Sequence, residues 1–193
     1  VSIRWTWAED ERTPAPPLSA AEVAEAEAEL KISFPDEYRE FLLHVSAGNG
    51  RVRRLARGPD GWRWDSDTET DLEMLPTPFP DQDSVERWWA EHDAREPDRD
   101  DPSWDAWDRE GEELGRRWGA GAVCLQDYGC GFCVLLVVTG PSRGTVWFDR
   151  RSACDDIVPL RSEDGRPVGF AEWLASPWRH WFDRAVRRHT APG

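Results

Sequence analysis

The chain predicts an α+β fold: one domain in which a twisted, mixed or mostly antiparallel sheet packs against N-terminal and C-terminal helices. Three observations carry that prediction. Two helical patterns come first, strand-like apolar runs cluster between residues 122 and 160, and an apolar helical face closes the chain. The 193 residues are enough for one core. Apolar residues make up only 39%, but 13 tryptophans supply large buriable area, so a folded domain with polar insertions is expected rather than a disordered chain.

Residues 1–18 read as a lead-in, with an extended piece at residues 3–7, and the domain is placed at 19–190. The stretch LSAAEVAEAEAEL opens a helix. Ser19 caps it, Glu22 closes a capping box, and Leu18 is set to pack on Val23. A second helix starts at Pro35, where a missing N–H costs nothing. Tyr38, Phe41, Leu42 and Val45 form one face of it, and Asp36 and Glu37 sit in its first turn, where the helix dipole favours acids. Gly48-Asn49-Gly50 then turns the chain.

A weak strand is expected at residues 52–57, closed by GPDG, and the following WRWDSDTETDLEML alternates poorly and is expected to include a loop. DSVERWWAEHDA predicts a helix with Val85, Trp88 and Trp89 inward. Residues 91–113 carry eleven acidic and three arginine side chains, and Pro97 and Pro102 oppose a continuous helix. This tract reads as an insertion or ordered acidic loop, anchored by Trp104 and Trp107 with a short helical turn around them. AVCLQD and FCVLLVVT are strand runs; both faces of the second are expected to be covered, one by a helix. GPSRG is a hairpin turn into the strand GTVWFD, and DDIVPL adds a short edge strand with Pro159 near the exposed side. Phe170, Trp173 and Leu174 begin the closing helical face, continued by Trp178, Trp181, Phe182 and Ala185 after Pro177.

The formal net charge is −14, from 38 acidic and 24 basic residues. Such a chain repels nucleic acid and anionic membrane and attracts basic partners. No run approaches the apolar length of a membrane span, the N-terminal sequence has no secretory h-region, and the cytoplasm is the expected location.

Motifs for nucleotide binding, metalloprotease chemistry and serine hydrolysis are missing. The four cysteines are read as core or turn residues; a CxxC at Cys130 and Cys133 leaves zinc and redox alternatives open, but a strand rather than a helix N-terminus follows it. His44, His92, His180 and His189 are scattered, with no nucleophile or carboxylate placed beside them by spacing. Asn49 reads as a turn residue. No catalytic, cofactor-binding or metal-ligating residue is assigned. Two surface features remain. One is a positive patch of Arg179, Arg184, Arg187 and Arg188. The other is a candidate partner-binding surface of Asp98, Asp100, Asp101, Trp104, Asp105, Trp107 and Asp108, because aromatic anchors ringed by charge build steered protein interfaces.

FPDEYREFLLHVSAGNG, GCGFCVLLVVTGPSRGTVWFD and the closing FAEWL, in that order, resemble the SMI1/KNR4 family of the SUKH superfamily. The matching positions are Pro35, Tyr38, Phe41, Leu42, Asn49, Gly50, Gly131, Gly144, Val146, Trp147, Phe170 and Leu174. Residues 57–121 depart most, and the turn reads NGR where the family often has NGG. The resemblance implies a single α+β domain without catalysis or cofactor. It also implies a protein partner: many bacterial members are similar to immunity proteins that neutralise toxins, often nucleases, and eukaryotic members are linked to cell-wall regulation and signalling. A basic toxin domain is the partner expected here, with a cytoplasmic scaffold or regulatory module as the alternative.

Overall fold

A computed structural model of the chain describes residues 14–153, 156–177 and 181. Helix α1 (Ala20–Leu30) starts at the expected capping box: Glu22 N–H donates to Ser19 Oγ at 3.2 Å, and Ser19 N–H donates to the Glu22 carboxylate at 2.8 Å. It buries Val23, Ala26 and Leu30. Helix α2 (Asp36–His44) has Pro35 as its N-cap and buries Tyr38, Phe41 and Leu42. Val45 differs from expectation. The helix ends before it, and this side chain stays 60% exposed.

Asn49 is a turn residue, its Oδ1 accepting the N–H groups of Arg51 and Val52, both at 2.9 Å. Gly48 is required there, because a Cβ would lie 2.3 Å from the Arg54 backbone. The expected strand at 52–57 begins later, as β1 (Leu55–Gly58), and pairs with β2 (Gly61–Trp64) in the tract expected to include a loop. Two inward residues, Trp62 and Trp64, are all the alternation that so short a strand displays. The hairpin docks on α1 through Trp62 N–H, which donates to Glu29 at 2.7 Å.

Helix α3 (Gln82–Asp93) is capped by Asp81, whose Oδ1 accepts Ser84 N–H at 2.8 Å. Val85 is buried as expected, whereas Trp88 and Trp89 are half-buried. The larger correction follows. Most of the acidic tract is helical: α3 runs to Asp93, and α4 spans Trp104–Trp118, fifteen residues, so only residues 94–103 form a loop. Pro97 and Pro102 fall in that loop and leave the helix untouched.

Strands β3 (Ala122–Asp127), β4 (Cys133–Val137), β5 (Val146–Asp149) and β6 (Ile157–Pro159) form an antiparallel meander in that order. Pro159 lies on an edge strand as predicted. A bulge between Cys124 and Gln126 carries Leu125, whose carbonyl accepts Arg53 N–H at 2.7 Å; Cys124 N–H donates to Thr70 at 2.9 Å. These contacts occupy the outer edge of β3, a row of groups that would otherwise invite another strand.

Alternation along β4 divides the interior. Val134, Leu136 and Val138 join the main core with α1, α2, the β1–β2 hairpin and α5 (Phe170–Ala175). Cys133, Leu135 and Val137 face the other way with Trp147, Ile157 and Phe79, and Trp118 packs on that second cluster. Both faces of β4 are thus covered, which explains its unbroken apolar run. Phe170 and Trp173 are buried, and Trp181 is 4% exposed. The rest of the predicted C-terminal face, with Trp178, Phe182 and Ala185, and the extended piece at residues 3–7 lie outside the described residues.

Helix α5 is short and is held at both ends by α2 and its following turn. Glu37 accepts Ala171 N–H at 2.9 Å. Arg51 donates to the carbonyls of Trp173, Leu174 and Ser176 at 3.0, 2.7 and 2.5 Å, with its guanidinium over the Trp173 ring. A cation at the negative end of a helix satisfies carbonyls that have no partner within it.

Candidate partner-binding face

The acidic residues are displayed by a helical hairpin whose seam is aromatic. On α4, Trp104, Trp107, Gly111, Leu114 and Trp118 recur at alternating steps of three and four, one stripe of a helix. Against it α3 presents Trp89, whose ring lies 6.0 Å from that of Trp118, and His92. His92 is 2% exposed and stacks on Trp107, with centroids 4.4 Å apart and planes 16° from parallel.

The two residues clasp each other. His92 Nε2 donates to the Trp107 carbonyl at 2.9 Å, which requires the proton on Nε2, and Trp107 Nε1–H donates to the His92 carbonyl at 3.0 Å. Gly111 permits this approach, since a Cβ would sit 3.2 Å from the imidazole. Arg95 adds a fork onto Glu110 at 2.8 and 3.0 Å, and that bond holds the Glu110 carboxyl below its ordinary range.

Each predicted surface residue has a place in this hairpin. Asp98, Asp100 and Asp101 are exposed in the loop. Asp101 accepts the Ser103 N–H and hydroxyl at 2.8 and 2.6 Å, and these bonds depress its pKa. Trp104 is half-buried beside Trp107, and Arg99 lies over its ring at 5.7 Å. Trp107 is committed to the clasp. Asp105 and Asp108 are exposed on the outer side of α4, and Glu112 continues the row. Seven residues of helix set the row's length at about 10 Å.

Among the described residues, Asp98, Asp100, Asp105, Asp108 and Glu112 take part in no ion pair. The face therefore keeps most of its negative charge free. His92 and Glu112 were not singled out from sequence. The spacing of Trp104, Trp107, Gly111, Leu114 and Trp118 signals a seam on α4, but nothing in it names His92 as the partner.

The other candidates resolve as follows. Cys124 and Cys133 are buried and Cys130 is exposed, all as free thiols. The hydrogen bond with Cys124 and burial push the Cys133 thiol far up, so it is no nucleophile at neutral pH. Cys130 sits in a left-handed turn at φ 53°, and Cys133 opens β4, so the CxxC does not stand at a helix N-terminus. Among the described residues no group of three or more histidine, cysteine and acidic side chains is arranged to hold a metal ion. His44 is exposed on α2, whereas Cys154, His180, His189 and the arginines 179, 184, 187 and 188 lie outside the described residues. No described helix is long and apolar enough to cross a membrane.

The helices, the antiparallel meander and the acidic helical hairpin make an α+β domain. The model of the SMI1 / KNR4 family (SUKH-1) matches residues 17–179, and the chain belongs to that family. Comparison with curated proteins and with solved structures gave no match.

Proposed function

We propose that this chain is a non-catalytic protein-binding domain, an immunity protein that neutralises a cognate bacterial toxin by laying the acidic face of the α3–α4 hairpin against a basic surface. The observation that carries the reading is the exposed carboxylates of Asp98 and Asp100 in the loop and of Asp105, Asp108 and Glu112 along α4, none of them in an ion pair among the described residues. Family membership supports it, because many bacterial members resemble toxin-neutralising proteins. A nuclease fits the charge: its substrate groove is basic, and a negatively charged face associates with such a groove at steered rates. Trp104, half-buried at the border of the acidic face, is the aromatic available to anchor the contact.

The test is a kinetic one on the isolated pair. Replacing Asp98, Asp100, Asp101 and Asp105 together with asparagine should slow association by about tenfold at low salt and flatten its salt dependence. Dissociation should change less. Association rates and salt slopes equal to those of the unaltered protein would remove this face from the interface.

A further inference from the structure

Among the described residues, the α3–α4 hairpin is anchored at one end only. At its base, Phe79 N–H donates to the Thr139 carbonyl at 2.9 Å, and the Gly121 carbonyl accepts Val138 N–H at 2.7 Å. Both stems are thereby tied to the same end of β4. Beyond the base the ties cease: among the described residues, every hydrogen bond and ion pair of residues 94–110 stays within the hairpin.

Burial follows the same gradient. Val85 and Leu114 are buried near the base, and the one buried residue farther out, His92, is buried against Trp107 of the hairpin itself. Internally the arm is stiff, through the His92–Trp107 clasp and the Arg95–Glu110 fork.

Two arginines span the joint, and Arg151 is the more buried of them. Arg151 donates through Nη1 to the Gly115 carbonyl at 2.8 Å and through Nη2 and Nε to Asp149 at 2.7 and 3.1 Å, with its guanidinium 5.7 Å from the Trp118 ring. The Gly115 carbonyl belongs to the last turn of α4, where carbonyls lack an intrahelical partner. Asp149 is 5% exposed on β5. Arg116 reaches Asp71 at 2.7 Å and Glu73 at 3.3 Å from the same end, through a guanidinium more exposed than that of Arg151.

We propose that the hairpin is a rigid arm that pivots on its base, with Arg151 as the clamp that sets its angle to the sheet. A pivot of this kind moves rigid elements about a few terminal residues; here these are Pro78 and Pro80 on one stem and Gly119 and Gly121 on the other. With α4 about 22 Å long, a swing of about 15° carries its far end roughly 6 Å. The inference concerns the arm itself and holds whatever molecule meets its acidic face.

The experiment measures distance distributions between paired nitroxide labels in the full chain, with Cys130 and Cys154 replaced by serine. A label pair within the arm, Ala90→Cys with Ala106→Cys, should give a narrow distribution. A pair from arm to body, Ala106→Cys with Glu40→Cys, should be about twofold broader. Arg151→Lys keeps a cation beside Asp149 but cannot fork onto Gly115 as well. It should broaden the arm-to-body distribution further, leave the arm-internal one unchanged, and shift the urea midpoint little. Equal widths for the two pairs in the unaltered protein would overturn the pivot. Broadening of the internal pair by Arg151→Lys would show melting instead, and an unchanged arm-to-body width would remove Arg151 as the clamp.

Discussion

Tyr38 and Arg51 show how single side chains hold this domain together. The Tyr38 hydroxyl is fully buried and accepts Trp64 Nε1–H at 2.8 Å, joining α2 to the β1–β2 hairpin; burial pushes its pKa far up, so it stays neutral. Tyr38→Phe strands that indole N–H and should cost about 1–3 kcal/mol, read as a lower urea midpoint with an unchanged slope. Arg51 is the residue at which the turn departs from the family's usual NGG. Its three bonds give the departure a purpose, which is to close the C-terminus of α5. Arg51→Gly should therefore destabilise by about 1.5–3 kcal/mol, although it restores the commoner sequence. A variant as stable as the original would mean that α5 is held by its buried Phe170 and Trp173 alone. Neither role was legible in the sequence, because the partners lie 26 and more than 120 residues away.

At the scale of elements, the helices and strands with a clear period were readable and the acidic tract was not. Ser19 with Glu22, the α2 face and the runs at β3, β4 and β5 each announce themselves locally. In residues 91–113, charge and two prolines point to loop, and the helix is specified instead by the stripe Trp104, Trp107, Gly111, Leu114 and Trp118, at steps of three and four, which only means something once α3 lies opposite. The β1–β2 hairpin escaped for a related reason, since a four-residue strand repeats its pattern only twice.

The hairpin makes its own prediction. Glu110 has its pKa lowered by the Arg95 bond, so the stability it contributes is present above its ordinary 4.5 and is lost as pH falls through the depressed value. Amide protection across residues 91–113 should fall between about pH 5 and pH 3 while the β3–β5 amides hold, and Glu110→Gln should blunt that fall. His92→Ala should abolish protection there at any pH, because it removes one half of the clasp and leaves a cavity beside Trp107.

For the molecule as a whole, the division of labour is between a sheet that is covered on both faces and an acidic arm that is not. The α+β class, the antiparallel order and the Pro159 edge were legible because strand periodicity and turn chemistry agree across residues 122–160. The free carboxylates were legible as charge, but not as a row, since that needs the helix. If the arm meets a basic partner, affinity should depend steeply on ionic strength, and raising salt from about 50 to 500 mM should slow association far more than it speeds dissociation.

If this face neutralises a toxin, capture of the partner and its effect on cells can be read together. The tagged chain is purified from its native cells through a salt wash, the bound protein is identified, and its gene is expressed with and without this chain. One stoichiometric, basic partner should be recovered that is toxic alone and harmless beside the unaltered chain, with protection weakened by the four asparagine substitutions. A stoichiometric partner that harms nothing when expressed alone, or protection that survives those substitutions undiminished, would contradict it.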